Sequence, residues 1–575
     1  MEKQHNRGQD GAGVAAVKLN TEPGYPFLNR IRSANNQPIA EIFSTINNQV
    51  LELKKYQPDI TSHPGLMKGH IDFLGELLLG HLRYGTQGKN NAEFCHPFIK
   101  RHTIPARNLA LAGNFNLVNT DELFALVNIE PGEFQKQSDL AAMMEVIHHF
   151  MVKSDDESPS DLDIVKILSK SISLFDGGFN VGGLLGNGDS FVFRDAHGIR
   201  PSYYYVDDEV VVAASERAAI RTVFNVGENE VKELMPGNGL IIKADGTISV
   251  HQLIEPKERK ACSFERIYFS RGSDEKIYHE RSALGYNLSG QVLQAVNYDT
   301  KNTILSFIPN TAEVAFYGLW KGVDDYLKKV KIERILSWKG DMDEEKLSEM
   351  INRKIRIEKV AIKDVKMRTF ITEDSSRNEM VQHVYDVTYG TVNKRVDTLV
   401  VIDDSIVRGT TLKQSIVRML ARLEPKKIII VSSAPQIRYP DCYGIDMSKL
   451  GDFIAFRAVI ELLHDRDKDH CLQELLDKCK ELQRSGLLHI ENVVQQLYKL
   501  VTTQEISDKI AEMITPKGVE FPIQVIFQTI ESLHRACPTN TGDWYFTGDY
   551  PTPGGNKVVN KAFINYMEGK NVRGY

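Results

Sequence analysis

The chain has 575 residues, of which 42% are hydrophobic and 25% charged, with a net charge of -6. That length exceeds the roughly 250–300 residues at which single cores stop growing, so more than one domain is expected, and the mild negative charge offers no basic footprint for nucleic acid. No apolar run reaches the roughly 18–20 residues that span a bilayer, and the opening MEKQHNRGQDGAG lacks the apolar core of a signal peptide, which makes the cytoplasm the default location.

The six cysteines, Cys95, Cys262, Cys442, Cys471, Cys479 and Cys537, form no CxxC pair. No disulfide framework, zinc site or iron–sulfur cluster is expected from that spacing. Adjacent His148 and His149 point about 100° apart on a helix, which suits partly packed side chains better than a metal site.

Strand signals dominate up to Leu253. YYYVDDEVVVAA (203–214) reads as a hairpin around an acidic turn, and GLIIKADGTISV (239–250) as another with Asp245-Gly246 as a two-residue turn. A helical pattern covers 138–153, and KSDDESPSDLD (153–163) reads as a solvated loop. LIEPKERKAC (253–262) is charged and carries Pro256, so a connection between domains is expected there. Beyond it strands and helices alternate. NTILSFIP (302–309) is an apolar strand, followed by a helix with Val314, Leu319, Val323 and Leu327 as its apolar positions. DTLVVIDD (397–404) is a second strand, followed by a helix bearing Leu412, Ile416, Val417, Leu420 and Leu423, and KKIIIVSSAP (426–435) is a third. Continuous apolar strands separated by helices imply a parallel sheet covered on both faces. Past residue 455 the chain reads as largely helical. Ile490, Val493, Val494, Leu497, Leu500 and Val501 make one stripe, and Ile506, Ile510, Met513 and Ile514 a second, ended by Pro516. The turn-rich TGDWYFTGDYPTPGGNK (541–557) is expected on another surface.

VVIDDSIVRGTTL (400–412) carries the strongest chemical signal. In an open parallel sheet, ligands bind beyond the carboxyl ends of the strands, where Asp403 and Asp404 fall. The SIVRGTT that follows opens a helix. Its backbone N–H groups and the Ser405, Thr410 and Thr411 hydroxyls can meet an anion at the positive end of the helix dipole. Carboxylates beside a phosphate cradle suit a sugar phosphate, since the acids accept from ribose hydroxyls or hold Mg2+ while the loop donates to phosphate. A simple helix cap by Asp404 or Ser405 is the plain alternative, but it needs one such residue and leaves the Gly409-Thr410-Thr411 sequel unexplained.

This stretch resembles the phosphoribosyl pyrophosphate (PRPP) motif of type I phosphoribosyltransferases, and in its DDSIVRGTT form that of the glutamine amidophosphoribosyltransferase family. FERIYFSRGSD (264–274) resembles that family's approach to its transferase domain, FIPNTAEVA (307–315) its pyrophosphate loop, and MRTFI (367–371) with Arg377 its lid over PRPP. CYGIDM (442–447) follows in the same order. The resemblance implies that Asp403, Asp404, Ser405, Arg408, Gly409, Thr410 and Thr411 bind PRPP, with Asn310, Thr311, Lys363 and Arg368 around its pyrophosphate and Asp403 and Asp404 on Mg2+. The family's loop usually has an acidic residue, a serine and a glycine where this chain has Asn310, Thr311 and Ala312; Asn310 can hydrogen-bond but brings no charge. Lys363, Lys366 and Arg368 can neutralise pyrophosphate, or form a solvated charge run.

Upstream, HNRGQDGAG (5–13), GHLRYGTQG (80–88), HPF (96–98), GNFNLVN (113–119), Ser138-Asp139 and FRDAHGIRP (193–201) resemble, in order, the same family's N-terminal-nucleophile glutaminase. That resemblance gives Arg83 the glutamine carboxylate, which its bidentate geometry suits, and Asp139 the amino group. It gives the oxyanion to Asn114 and the Phe115 N–H. A Cβ at Phe115 crowds a place where the family has glycine. Read singly, Arg83 and Asp139 are a surface charge and a helix N-terminal carboxylate; the ordered set favours the substrate roles. Family glutaminases use a cysteine at the first position of the mature chain. Here Met1-Glu2 open the sequence and none of the six cysteines matches that position, so the glutaminase nucleophile and an opening strand are expected to be missing from it. Cys95 reads as a small buried residue.

The expected architecture is α/β plus α+β: an αββα glutaminase-like domain over 1–255, a type I phosphoribosyltransferase domain over 256–455 and a helical extension over 456–575. The implied activity is that of an amidophosphoribosyltransferase of purine biosynthesis, a cytoplasmic homo-oligomer joining ammonia to PRPP. Mg2+, glutamine as nitrogen source and purine nucleotides as feedback inhibitors come with it, without nucleic-acid or membrane partners. The alternative is a non-catalytic regulator that binds PRPP or a nucleotide. Such regulators carry a DNA-binding module in front, and neither a helix-turn-helix pattern nor a basic face occurs here.

Overall fold

The computed structural model describes residues 1–22, 24–85, 91–132, 138–154, 162–340, 343–363, 385–409, 412–445, 447–570 and 572–574. Three strands, β1 (Gly11–Val17), β2 (Leu28–Ser33) and β3 (Leu77–Arg83), form an antiparallel sheet in the order β2-β1-β3. A second antiparallel sheet takes β4 (Phe98–Lys100), β5 (Leu109–Leu117), β6 (Gly177–Leu185) and β7 (Ser190–Arg194). β8 (Tyr203–Val206) and β9 (Val211–Ala214) make the first expected hairpin, flanked by β10 (Lys232–Glu233). β11 (Asn238–Ile242) and β12 (Ile248–Gln252) then complete the second sheet in the order β12-β11-β7-β6-β5-β4.

Alternation along the strands builds the layers. On β1, Ala15 and Val17 face Ala110 and Leu184 of the second sheet, while Ala12 and Val14 pack under Ile42 of the helix Pro38–Tyr56. On β5, Ala110 points to the first sheet, and Leu109 and Leu111 point to the helices Asp139–Val152 and Ile164–Ile172, meeting Leu140, Met143, Ile147 and Leu168. The result is a helix–sheet–sheet–helix stack. In the second hairpin the Lys243 N–H donates to the Thr247 carbonyl at 2.9 Å, which leaves a three-residue loop, 244–246, one residue longer than expected. Gly246 at φ +88° closes it, a conformation that three-residue hairpins require at their last position.

The back half is a five-stranded sheet. β13 (Thr303–Phe307), β14 (Arg356–Ile357), β17 (Thr398–Asp403), β18 (Lys427–Ser432) and β19 (Ile523–Phe527) run parallel in the order β14-β13-β17-β18-β19. A separate antiparallel ribbon pairs β15 (Ala361–Lys363) with β16 (Tyr385–Val387). Leu305, Val400, Ile402, Ile429 and Val431 face the helices Glu275–Ala295 and Glu313–Ser337 through Leu288, Val292, Leu319 and Val323. Ile304, Leu399, Val401, Ile428 and Ile430 face the opposite layer through Leu412, Ile416, Leu420 and Val459. Burial on both faces is why these strands are so rich in apolar residues, with the buried Ser306 of β13 as an exception.

Three readings of the last 120 or so residues change. The stretch past residue 455 supplies β19, a five-residue strand that pairs with β18 and so belongs to the sheet rather than to helical support. The stripe 490–501 is not one helix: only Gln495–Tyr498 is helical, and Ile490 and Leu500 are exposed. The Asn560 side chain replaces the helical ladder there, donating to the Leu488 and Glu491 carbonyls at 2.9 and 2.7 Å and accepting from the Val493 N–H at 3.0 Å. The turn-rich 541–557 carries Trp544, Tyr545 and Phe546, all buried, with the Trp544 indole donating to Asp441 at 2.8 Å. Aromatic burial outweighs the surface composition of its neighbours. Among the described residues no helix is long and apolar enough to cross a membrane.

Candidate active site

The carboxyl ends of β13 and β17 and the edge of the front sheets share one cavity of about 840 Å³. Arg83, Asn114, Phe115 and Asp139 line it from the front half, and Asn310, Thr311, Lys363, Asp403, Asp404, Ser405, Arg408 and Gly409 from the back half. Thr410, Thr411 and Arg368 lie outside the described residues.

β17 ends at Asp403, whose carbonyl accepts the Ser433 N–H at 2.9 Å. The Asp403 carboxylate accepts the Asp404 N–H at 2.9 Å, and the Ser405 hydroxyl donates to the Asp404 carboxylate at 3.0 Å. Loss of water and then the neighbouring Asp404 charge push Asp403 well above the usual carboxylate range. Loss of water raises Asp404 to about 6, against the Ser405 hydroxyl and the charges of Arg281 and Lys363. Two hard oxygen donors disfavoured as bare anions fit a divalent cation such as Mg2+, which keeps water and phosphate oxygens as its other ligands. Among the described residues no cluster of three or more His, Cys, Asp or Glu side chains is placed to hold a metal.

The bend after the acids depends on Gly409. It sits at φ +70°, and a Cβ there would lie 2.2 Å from Ile454 Cδ1. Arg408 pairs with Asp452 at 3.2 Å, and Arg457 donates to the Arg408 carbonyl at 2.5 Å, which fixes the outer side of the bend.

Three residues beside the acids were given no site role from the sequence. Burial, then the two aspartate charges, pushes the Tyr268 and Tyr385 phenols far up, so both stand as neutral donors facing carboxylates. Tyr268 lies within FERIYF and was open to discovery there; Tyr385 opens β16 with no local signal. Arg281, buried on the helix Glu275–Ala295, donates to the carbonyls of Arg266, Tyr268 and Ser270 while its charge acts on Asp404.

At the front end Asp139 opens its helix and accepts the Leu117 N–H at 2.9 Å. Loss of water raises it to about 6, opposed by that hydrogen bond and by the charge of Arg573. Arg83 is 6% exposed, donates to the Asn91 carbonyl at 3.3 Å and lies over the Phe94 ring at 5.5 Å. Phe115 turns its ring onto His96 at 5.8 Å, and His96 in turn packs on His81 at 4.3 Å. Its Cβ is therefore accommodated by a stack. Loss of water drives both imidazoles down, His81 to about 4, so the stack is uncharged at neutral pH. Cys95 is buried, as expected.

The halves meet at this point. Asn116 donates to the Cys442 carbonyl at 3.2 Å, and a Cβ on Gly444 would sit 3.7 Å from Asn114 Oδ1, so the back-half loop seats directly over Asn114. Behind it, Glu265 is 2% exposed and pairs with Arg7 at 2.8 Å and Arg200 at 3.1 Å. Burial would raise its pKa; the two guanidiniums overcome that and hold it down to about 2.

No family model matches the chain. The amidophosphoribosyltransferase of Bacillus subtilis (strain 168) is 28% identical over 469 residues, 80% of this chain and 80% of that protein. That of Escherichia coli (strain K12) is 26% identical over 490 residues, 82% of this chain and 80% of that protein. The fold aligns with a glutamine PRPP amidotransferase from B. subtilis complexed with ADP and GMP, with a TM-score of 0.61, 22% identity and coverage of 96% of this chain and 93% of that one. A structure described as the allosteric regulatory enzyme of purine biosynthesis aligns with a TM-score of 0.62 and 22% identity, covering 96% and 92%. Relatives of one activity along most of the sequence, and a matching fold along nearly all of it, make this chain similar to the amidophosphoribosyltransferases.

Proposed function

We propose that the chain is a glycosyltransferase-type enzyme that joins ammonia to PRPP, giving 5-phosphoribosylamine and pyrophosphate, with a type I phosphoribosyltransferase back half and a front half of the N-terminal-nucleophile fold. One observation carries this reading: the described residues among those expected to hold PRPP, and those expected to hold glutamine, line a single cavity.

Asp403 and Asp404 take the ribose hydroxyls and would hold Mg2+, whose charge, when bound, offsets that of the pyrophosphate. Ser405 and Gly409, with Thr410 and Thr411, cradle the 5-phosphate at the start of the following helix. Lys363, Asn310 and Thr311 meet the pyrophosphate, and the resemblance assigns Arg368, outside the described residues, to the same group. The nitrogen lone pair forms the bond to ribose C1 as the C1–oxygen bond breaks, and pyrophosphate leaves with that electron pair. Tyr268 and Tyr385 line the same cavity and can donate to the ribose. In the front half, Arg83 and Asp139 hold glutamine, and Asn114 with the Phe115 N–H serves the oxyanion.

None of the six cysteines lines the cavity, and ammonium and glutamine are both taken as nitrogen donors to be tested. Purine nucleotides, bound as ADP and GMP in the B. subtilis structure, are proposed as feedback ligands. A homo-oligomer in the cytoplasm belongs to the same reading. Pyrophosphate release from PRPP, measured with ammonium and with glutamine as separate donors, tests it. Release with ammonium supports the enzyme, and release with neither donor favours the PRPP-binding regulator.

A further inference from the structure

The helix Glu313–Ser337 outruns the sheet that it covers. Leu327 is its last buried residue, and 328–337 carry it on for about 15 Å at roughly 1.5 Å per residue. Along that projection Ile332 is 57% and Leu336 80% exposed, with Ile335 and Trp338 exposed beside them. Positions 332, 335 and 336 lie three and four apart, so they share one face. The next helix, Glu344–Asn352, has no buried residue, and its Ile351 is 53% exposed. It is tied back where Lys331 donates to the Ile351 carbonyl at 2.7 Å, and capped where the Lys346 N–H donates to the Asp343 carboxylate at 2.8 Å. Its 9 residues are too few to hold a helix in water without a packed face.

Charge indicates what covers this pair of helices. The projecting end of the first is basic, with Lys328, Lys329, Lys331 and Arg334 against Glu333, and Lys339 follows it. The second is acidic, with Glu344, Glu345 and Glu349 against Lys346. Among the described residues Lys329, Arg334 and Lys339 pair with no carboxylate, and Glu344, Glu345 and Glu349 with no cation. An anionic lipid surface would meet the acids as well as the bases. A second copy turned about a two-fold axis instead sets each basic end on the other copy's acidic helix, and each apolar face on its twin.

We propose that this pair of helices is an interface at which two copies of the chain associate about a two-fold axis, with its apolar residues at the centre and reciprocal basic–acidic contacts around them. The proposal rests on the homo-oligomer reading above and says where one contact of that assembly lies.

Sedimentation equilibrium of the full chain tests it. Leu336→Asp puts a charge at the centre of the contact and weakens association by at least about thirtyfold. Arg334→Glu with Lys339→Glu in one variant, and Glu345→Lys with Glu349→Lys in another, each set like charges together and weaken it by about tenfold. Mixing those two variants restores association, because each altered helix then meets its opposite charge, and such rescue requires both to be folded. Thermal melting reports the folding of each variant. Association unchanged in every variant, or weakened without rescue on mixing, overturns the interface and leaves the homo-oligomer reading standing. A monomeric unaltered chain refutes that reading and removes the interface with it. A monomer that instead sediments with phosphatidylserine vesicles, and loses this in Leu336→Asp, overturns the proposal in favour of a lipid surface.

Discussion

Replacing Asp139 with asparagine stabilises the folded chain at neutral pH while removing its hold on an ammonium group. The carboxyl titrates at about 6 in the folded chain, against 3.8 for an unperturbed group. Between those values the unfolded chain has released a proton that the folded chain still holds. Stability therefore falls as pH rises through that window and stays lower above it. A gap of roughly two units corresponds to about 3 kcal/mol. The side chain is partly exposed at the cavity wall, so solvent screening reduces the effect to about 1–2 kcal/mol. Asparagine keeps an oxygen that can accept the Leu117 N–H, so the substitution isolates the charge. Thermal melting at pH 4 and pH 8 measures it: the variant should match the unaltered chain at pH 4 and melt higher at pH 8. A lower midpoint at pH 8, or the same offset at both pH values, refutes the reasoning.

Gly409→Ala forces a left-handed backbone onto a residue with a Cβ and drives that Cβ into Ile454. It should cost about 1–3 kcal/mol in denaturant unfolding and weaken PRPP binding in the same preparation. Glu265→Gln leaves Arg200 without its carboxylate partner in a buried setting, and a loss of about 3 kcal/mol is expected at pH 7. Because Glu265 is held down to about 2 against 4.5 for an unperturbed glutamate, its contribution is present above that ordinary value and fades as pH falls through the folded one. The gap between variant and unaltered chain should thus close between pH 5 and pH 2, as read by urea unfolding across that range.

What the sequence could and could not disclose follows from how local each signal is. Asp403, Asp404 and Gly409 are legible because a strand end, two acids and a turn glycine sit within seven residues, where local chemistry alone narrows the possibilities. β17 and β18 are legible because burial on both faces leaves the apolar runs 399–402 and 428–431 unbroken, and β13 because its one interior polar residue, Ser306, stands in an otherwise apolar strand. β19 carries Gln524, is buried only from Val525 onward and follows a long helical stretch, and its pairing to β18 joins residues far apart in sequence, which no local pattern encodes. Trp544 and its neighbours were hidden by the glycines, threonines and prolines around them. The effects of Arg281 and Arg573 come only from the fold, since the charge of buried Arg281 acts on Asp404 and that of Arg573 acts on Asp139 across a long stretch of sequence.

The grip of the acidic turn on PRPP is tested most directly by titrating the purified chain with PRPP over a range of Mg2+ concentrations, beside an Asp403→Asn, Asp404→Asn double variant. The unaltered chain should bind PRPP more tightly as Mg2+ rises, and the variant should lose both that dependence and at least about tenfold in affinity. PRPP binding that ignores Mg2+, or that survives loss of both carboxylates unchanged, would contradict the account.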